Sequence, residues 1–262
     1  MGPLGNGAPF AEGERWSVGD DYADLTFENR LSVHIDWANG TATVAVSTAF
    51  LRSEPSFVAR LGLETPVATL LAWRGYAVVH AGAVVGAAGA VVLRGPSGAG
   101  KSTLVAAAHR AGLEVLGDET ILVAREDPDE LVAAVRDPLL SPEMYEALGY
   151  NGAGSAGSGE KRRLDLFASS TPHKRKARRR AVVLLGPFEG QAARLEALSP
   201  ERFLDEFKRG AIPQERWGGT PPTIAEHWSR RAAYRLFGAR DLHGAVRLLS
   251  DLCANPDSGD SQ

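Results

Sequence analysis

A short stretch in the first half of the chain, AVVLRGPSGAGKST from Ala90 to Thr103, constrains the fold more than any other part of the sequence. Gly95, Gly100, Lys101 and Ser102 match the G-x-x-x-x-G-K-[ST] pattern. The apolar residues before the pattern predict a strand, and the helix-favouring residues after it predict a helix. The sequence therefore predicts a phosphate-binding loop that connects a strand to a helix.

The residue types in this loop suit the binding of a nucleoside triphosphate. Backbone amides must come within about 3 Å of phosphate oxygens, and glycine permits both that approach and positive φ angles, with Gly98 as a third flexible point. The N-terminus of the following helix attracts the same anion. Lys101 is predicted to reach the β- and γ-phosphates, and the Ser102 hydroxyl to bind Mg²⁺. The predicted nucleotide-binding residues are Gly95, Pro96, Ser97, Gly98, Ala99, Gly100, Lys101, Ser102 and Thr103, with ATP and Mg²⁺ as the predicted cofactors.

The composition of the 262 residues indicates an ordinary globular protein, because 44% of them are hydrophobic and 23% are charged. No apolar run in the sequence is long enough to span a membrane, and the first residues lack the basic and apolar segments of a signal peptide. Cys253 is the only cysteine, which excludes an intrachain disulfide and a cysteine metal cluster. The sequence therefore predicts a cytoplasmic protein without a membrane partner.

Periodic patterns and turn signals predict the elements around the loop. Apolar and polar residues alternate over 31–36, which predicts a half-buried strand, and Asn39-Gly40 predicts a hairpin turn after it. Residues 65–74 predict a helix with Thr65 as its N-cap. Further strands are predicted at 76–80, 83–85, 91–94, 113–116, 121–124, 181–185 and 234–237, and further helices at 101–110, 144–148, 199–208, 223–231 and from 241 onward.

His80 and Asp118 each follow a predicted strand, one on either side of the loop in sequence. Neighbouring parallel strands would bring both side chains to the carboxyl edge of the sheet, where ligands of open α/β folds bind. A carboxylate there can take the proton of an attacking hydroxyl, and the adjacent Glu119 can hold Mg²⁺. Simpler roles stay open: Asp118 as the Mg²⁺-ordering acid of any P-loop NTPase, His80 as a structural histidine, and Glu119 as a solvated loop acid.

The segments Val79-His80-Ala81-Gly82 and Gly117-Asp118-Glu119, together with the loop and Leu71-Ala72-Trp73-Arg74-Gly75, resemble the catalytic domain of HPr kinase/phosphorylase. They resemble more closely the short HPr-kinase-like proteins of ribosomal-peptide pathways, which include lasso-peptide kinases. The resemblance implies a fold shared with phosphoenolpyruvate carboxykinase. It also implies that Asp118 activates a serine hydroxyl beside His80, that Lys101 binds the phosphates, and that Ser102 and an acidic residue bind Mg²⁺.

Two departures limit what this resemblance implies. The bifunctional family has two aspartates where this chain has Asp118-Glu119, and no Glu-x-Arg-Gly-x-Gly signature is found. The resemblance therefore does not extend to phosphorylase activity or to recognition of the HPr protein. Glu160-Lys161-Arg162 resembles the basic active-site segment of the short kinases, which implies a clamp on substrate or phosphate formed by Glu160, Lys161 and Arg162.

A basic block is the other unusual feature of the sequence. Residues 161–180 contain nine Lys or Arg and one Asp, and they follow a Gly/Ser-rich tract at 152–159. This arrangement suits a mobile clamp on an acidic peptide or phosphate, and Arg178, Arg179 and Arg180 are predicted to act on the acceptor. The alternatives are a solvated charge run and a nucleic-acid patch, although the block lacks the interleaved aromatic residues of nucleic-acid platforms.

Taken together, the sequence predicts an α/β protein: a P-loop kinase of the HPr kinase/phosphoenolpyruvate carboxykinase-like type with a β-rich N-terminal portion. The predicted divisions are 1–64 for the β-rich portion, 65–253 for the kinase domain and 254–262 for a tail. The predicted activity is ATP-dependent phosphorylation of a hydroxyl, with serine favoured, on a peptide, protein or small molecule. The alternatives are a P-loop ATPase of other substrate, and a nucleotide-sensing or nucleic-acid-binding module without turnover. The sequence leaves the oligomeric state open.

Overall fold

The chain forms two compact units of mixed helix and strand. In this computed structural model, the described residues are 13–134, 138–150, 161–164, 175–186, 192–209, 215 and 222–254. The first unit comprises residues 1–78 and 212–221, and the second comprises residues 79–211 and 222–262. The sequence prediction places the first division at residue 64, whereas the first unit also includes the helix that follows. The protein therefore belongs to the α/β class.

The first unit is built on an antiparallel meander of four strands. They are β1 (Glu14–Val18), β2 (Tyr22–Phe27), β3 (Leu31–Asp36) and β4 (Thr41–Val46), in that spatial order. On β3 the apolar side chains are buried and the intervening ones are exposed or half-buried, as the alternation predicts. The predicted turn is confirmed: Gly40 has φ +68°, and the Asp36 carboxylate accepts a hydrogen bond from the Asn39 backbone N–H at 2.9 Å.

Helical residues follow this meander without a break after residue 54. The helices are α1 (Thr48–Ser53), α2 (Pro55–Ala59), a π-helical segment (Arg60–Glu64) and α3 (Thr65–Trp73). The prediction of Thr65 as an N-cap is wrong, because Glu64 already has helical angles of −66° and −43°. The Thr65 hydroxyl instead donates to the Arg60 carbonyl oxygen at 2.9 Å. The wide π-helical turn thus carries the helix into α3, where the sequence pattern suggests a new start.

The second unit contains a twisted sheet around the strand that precedes the glycine-rich loop. The remaining strands, in chain order, are β5 (Tyr76–Val79, at the boundary between the units), β6 (Gly82–Gly86), β7 (Gly89–Arg94), β8 (Glu114–Gly117), β9 (Ile121–Ala124), β10 (Glu130–Ala133), β11 (Leu139–Leu140), β12 (Arg162–Arg163), β13 (Lys176–Leu185), β14 (Arg194–Ala197) and β15 (Ala233–Phe237). Strand β13 runs parallel to both β7 and β15. Strand β6 runs antiparallel to β7 and to β8.

This topology corrects the expectation of neighbouring parallel strands on the Asp118 side of the loop. The connection between β6 and β7 consists of residues 87 and 88, and two residues can join only antiparallel strands. Strand β8 lies on the far side of β6 and also runs antiparallel to it, so β7 and β8 point the same way. The carboxyl ends of β7 and β8 therefore still meet at one edge, with the start of β6 between them.

The helices of the second unit are α4 (Lys101–Arg110), α5 (Pro142–Ala147), α6 (Pro200–Arg209), α7 (Pro222–Ser229) and α8 (Leu242–Ala254). The predicted helix after the loop is confirmed over 101–110, and the chain leaves it at Gly112 with φ +93°. The predicted last helix is also confirmed, and the Asp241 carboxylate caps it by accepting from the Gly244 N–H at 3.0 Å. No helix within the described residues is long and apolar enough to cross a membrane.

The last five residues of the basic block, 176–180, are on β13. The Arg179 side chain is fully buried, and its Nε–H donates to Asp129 Oδ1 at 2.9 Å. The exposed Arg178 pairs with Asp127, and Lys176 pairs with Glu130 at 2.7 Å. The prediction of a mobile segment is therefore wrong for Arg178 and Arg179, because both are on the paired strand β13 beside acidic partners; their action on the acceptor stays a prediction. His173 and Lys174 lie outside the described residues.

We expect the buried pair of Arg179 and Asp129 to matter for stability. Asp129→Ala would leave the Arg179 guanidinium buried without its carboxylate, which costs about 3–5 kcal/mol of unfolding free energy. Glu130→Ala is the matched control, since its partner Lys176 is 60% exposed, and we expect a loss below about 1 kcal/mol. Urea unfolding of the two variants measures the difference, and equal losses would show that burial of the pair is unimportant.

Candidate active site

The glycine-rich loop connects β7 to α4, as the sequence predicts. Gly100 has φ +88° at the N-terminus of α4, a conformation that side-chain-bearing residues rarely adopt. Gly95 is confined for another reason: a Cβ atom there would lie 3.1 Å from both the Cβ and the carbonyl oxygen of Leu185. The first turn of α4 leaves backbone N–H groups without helical partners at this end. The loop therefore presents amides and a helix N-terminus to the carboxyl edge of the sheet.

Lys101 is held against the beginning of the loop. Its side chain is almost completely buried, and its Nζ donates to the carbonyl oxygens of Gly95 at 2.8 Å and Pro96 at 3.1 Å. These two bonds close the loop across its opening and fix the ammonium charge there. A positive charge in this position attracts an anion bound by the surrounding amides.

Asp118 follows β8 and lies at the same edge of the sheet as the loop. The residue is completely buried. A Cβ atom on Gly82, at the start of β6, would lie 3.2 Å from Asp118 Oδ1 and 2.7 Å from a methyl carbon of Val105 on α4. The missing side chain at position 82 therefore makes the space in which the carboxylate lies.

The electrostatic state of Asp118 is unusual for an aspartate. Its pKa is raised from 3.8 to about 6, mainly by burial and in part by the nearby negative charge of Glu119, while the Ser102 hydroxyl, the Glu119 backbone and the Lys101 charge oppose the rise. Although the Ser102 hydroxyl and the Glu119 backbone N–H are close enough to lower this pKa, neither carboxylate oxygen meets the distance and angle of a hydrogen bond with any described residue. A buried carboxylate whose oxygens lack partners is costly unless something else binds it.

A strained turn follows Asp118 and connects it to His80. Glu119 has φ +62°, and the Thr120 N–H donates to the Asp118 carbonyl oxygen at 2.7 Å across it, as in a γ-turn. The Glu119 carbonyl oxygen lies 2.8 Å from His80 Nδ1. Because a carbonyl oxygen only accepts, Nδ1 carries the proton, and in the neutral ring the lone pair is on Nε2. The turn thereby fixes both the His80 ring and its tautomer.

Arg94, the last residue of β7, is a buried positioning residue that the sequence reasoning missed. It is 1% exposed, donates to the carbonyl oxygens of Phe207 at 3.0 Å and His80 at 3.3 Å, and lies 3.8 Å from the centre of the Phe207 ring. It therefore ties the chain at His80 to the residue before Gly95. The available signal was a charged residue at the end of an otherwise apolar strand.

Most of the predicted residues meet in one cavity of about 210 Å³. The residues His80, Lys101, Ser102, Glu119 and Lys161 line it, together with Ser97, Gly98, Gly100, Thr103 and the segment around Ser141. Ser141 was not predicted as a site residue; its hydroxyl accepts from the Met144 N–H at 3.4 Å and caps α5, for which Ser-Pro at 141–142 was the available signal. Polar side chains from four other segments of the chain thus converge on the loop.

The predicted clamp residues are not all brought to this cavity. Lys161 lines it, but Arg162 does not. Arg162 is on β12, which pairs with β11, and its guanidinium lies 3.8 Å from the Glu146 carboxylate and 5.7 Å from the centre of the Tyr145 ring. Glu160 lies outside the described residues. Of the three, the structure thus places only Lys161 at the candidate site.

The residues at the loop fit a Mg²⁺ ion that is bound mainly through phosphates. The described residues include no group of three or more His, Cys, Asp or Glu that could hold a metal alone. Mg²⁺ in nucleotide sites needs only one or two protein ligands, because phosphate oxygens and water complete its octahedron. The Ser102 hydroxyl and the Glu119 carboxylate, which both line the cavity, meet that requirement.

Comparison with known proteins adds no family assignment. No protein-family model matches this chain, and no curated protein matches its sequence significantly. The geometry of the site, an α/β sheet edge with a glycine-rich loop, a buried lysine and a buried aspartate, is therefore the basis for a functional proposal.

Proposed function

We propose that this chain is an ATP- and Mg²⁺-dependent kinase that transfers a phosphoryl group to a hydroxyl, with serine as the first acceptor to consider. One observation supports it above all: the buried Asp118 has two oxygens without hydrogen-bond partners among the described residues and a pKa raised to about 6, beside Lys101 and Ser102. A carboxylate with a pKa near the working pH is suited to accept the proton of an attacking hydroxyl. A purely structural aspartate would be expected to have hydrogen-bond partners.

In the proposed reaction, Asp118 accepts the hydroxyl proton as the acceptor oxygen forms its bond to the γ-phosphorus. The bond from that phosphorus to the β-bridging oxygen breaks, and ADP leaves with the bond electrons. Lys101 and the amides of the loop stabilise the charge on the transferring group. His80 lines the cavity while its Nδ1–H donates to the Glu119 carbonyl oxygen. Bound Mg²⁺ would neutralise phosphate charge, held by Ser102 and an acidic neighbour.

The resemblance to HPr-kinase-like proteins of ribosomal-peptide pathways makes a peptide serine the first acceptor to test. Within this proposal the protein is a P-loop kinase of the HPr kinase/phosphoenolpyruvate carboxykinase-like type, and its partner is a peptide or small molecule with a hydroxyl. A P-loop ATPase would share the loop but would need no acceptor. A nucleotide-sensing module would need no general base. The buried carboxylate of Asp118, with its raised pKa, therefore favours an enzyme that turns ATP over.

Incubation with labelled ATP, with and without a serine-containing peptide, distinguishes these functions. We expect label on the peptide serine and little phosphate release without it. Phosphate release that does not depend on the peptide would support an ATPase. Nucleotide binding without either product would contradict catalysis altogether.

The raised pKa of Asp118 predicts a specific pH dependence of transfer. Because the base must be ionised, the rate should increase with pH through about 6 and reach a plateau near neutrality, with a rate at pH 5 about tenfold below the plateau. Rates with an acceptor peptide that has no group titrating between pH 4 and 8 measure the profile, with ATP binding followed over the same range. An inflection two or more pH units away would show that another group limits the rate.

A further inference from the structure

A second cavity borders the other side of the glycine-rich loop. It has a volume of about 350 Å³ and is formed by the first half of the loop, the end of β13, and residues of α6 and β15. Only Ser97 and Gly98 line both cavities. The loop therefore separates two cavities. One is lined by His80, Lys101 and Ser102, and the other has no role in the reaction proposed above. We call the second one the Arg235 cavity.

The lining of the Arg235 cavity combines apolar walls with the pair of Arg235 and Glu206, and Arg94 and Arg209 also line it. Leu184, Leu185 and Pro96 supply apolar surface. Arg235 pairs with Glu206 at 2.9 Å, and both side chains are largely buried, with 20% and 13% exposed. The Arg235 Nε is buried without a hydrogen-bond partner among the described residues. Small-molecule sites have this character: mostly apolar walls with a few polar groups that fix orientation.

Gly186 at the end of β13 shapes this cavity. A Cβ atom there would lie 3.4 Å from Arg235 Nε and 3.6 Å from its Cδ, an ordinary contact distance. The arginine side chain therefore lies across the end of β13, and its guanidinium carbon lies 5.3 Å from the centre of the Phe237 ring. A planar guanidinium can stack on an aromatic ring, and a larger side chain at position 186 would occupy part of the space.

We propose that the Arg235 cavity binds the nucleoside half of ATP, an inference that rests on the proposed kinase function. In-line transfer places the attacking hydroxyl and the leaving nucleotide on opposite sides of the γ-phosphorus. His80 and Glu119 line the first cavity, and Asp118 adjoins Glu119, so the acceptor enters there. The leaving nucleotide then extends past Ser97 and Gly98 into the Arg235 cavity, where the base meets Leu184, Leu185 and the Arg235 guanidinium.

Binding of ATP and of inorganic tripolyphosphate to the same variants tests this assignment, because tripolyphosphate has the phosphates but no nucleoside. Gly186→Leu should fill part of the cavity without changing the loop. We expect its dissociation constant for Mg·ATP to rise by about tenfold or more, with the value for Mg·tripolyphosphate changed less than about twofold. Lys208→Ala is the matched control, since Lys208 is on the same helix as Glu206, is exposed, and does not line the cavity.

A second variant tests the same assignment in case Gly186→Leu does not fold. Glu206→Gln combined with Arg235→Gln removes both charges together, so that no single charge is left buried. It should weaken Mg·ATP and spare Mg·tripolyphosphate in the same way, with circular dichroism as the check on folding. The double variant decides the matter if Gly186→Leu does not fold.

Three results would overturn the assignment, and they are distinguishable. Unchanged binding of both ligands in folded variants would show that the nucleoside lies elsewhere. The assignment of the phosphates to the glycine-rich loop would be unaffected. Unchanged Mg·ATP binding with a raised KM for the acceptor peptide would assign the cavity to the acceptor. Failure of the unmodified protein to bind either ligand would overturn the proposed kinase function and this inference with it.

Discussion

Replacement of Asp118 by asparagine should reduce phosphoryl transfer by about 10²–10⁴-fold. Asparagine has nearly the size of aspartate and can occupy the space that Gly82 leaves open, but it cannot accept the hydroxyl proton. Binding of Mg·ATP should persist, because the loop amides, Lys101 and Ser102 are unchanged. Turnover with a serine peptide, measured beside nucleotide affinity, checks both halves of this expectation.

A Mg²⁺ series separates a base from a metal ligand at position 118. If Asp118 only organised the metal, excess Mg²⁺ would restore much of the lost rate in Asp118→Asn. We expect no such rescue, and loss of the inflection near pH 6 in whatever activity is left. Rescue by Mg²⁺ would assign the base elsewhere, with His80 as the next candidate, since it lines the cavity together with Lys101 and Ser102.

The same variant should be more stable than the natural chain at neutral pH. Burial raises the pKa of Asp118 from 3.8 to about 6 in the folded state, which corresponds to about 3 kcal/mol. A group whose pKa rises on folding contributes its full stabilisation below the unfolded pKa and loses it as pH rises through the folded pKa. Asp118→Asn should therefore have the higher Tm at pH 7, and the difference should shrink below about pH 4. A lower Tm at pH 7 would mean that the carboxylate has a stabilising partner.

Replacement of Lys101 by alanine should reduce transfer by about 10²–10³-fold or more. The lysine is buried and fixed on the carbonyl oxygens of Gly95 and Pro96, so its charge is already in place when the phosphates arrive. Alanine removes both that charge and the bonds that close the loop, so Mg·ATP should also bind more weakly. Single-turnover rates and nucleotide affinity measure the two effects separately.

Lys101→Met is the matched variant, because it keeps most of the apolar stem and removes the charge together with the two hydrogen bonds of the ammonium group. We expect it to lose nearly as much activity as Lys101→Ala while it folds normally. Lys208→Ala, on an exposed part of α6, should retain full activity. Unchanged turnover in purified Lys101→Ala would contradict the proposal that this loop binds the nucleotide.

Local patterns in the sequence predicted the central elements of the site well. The glycine spacing of the loop, the strand before it and the helix at 101–110 all depend on neighbours within a few residues, and the structure confirms them. The same holds for the alternation over 31–36 and for the Asn39-Gly40 turn. Backbone conformation and hydrophobic period are properties of short segments, so they can be recognised without knowledge of distant partners.

Features that depend on distant partners could not be predicted in this way. Arg179 looks like a solvated cation in sequence, but Asp129 and the strand pairing of β13 bury it. Thr65 looks like an N-cap, but a π-helical turn runs into it. The order of the strands around the loop was also missed, because a two-residue connection between β6 and β7 inserts an antiparallel strand next to the loop strand.

By itself, the sequence determined that this protein has a phosphate-loop pattern between a strand and a helix, with His80 and Asp118 at strand ends on either side of it in sequence. Only the tertiary structure decided the burial and the contacts of those residues. It buries Asp118 in the space beside Gly82, fixes His80 on the turn at Glu119, and forms the Arg235 cavity from four separated segments. The physical reason is that burial, and with it the pKa of a carboxylate, depends on atoms distant in sequence, whereas the conformation of a glycine-rich turn depends mainly on the turn itself.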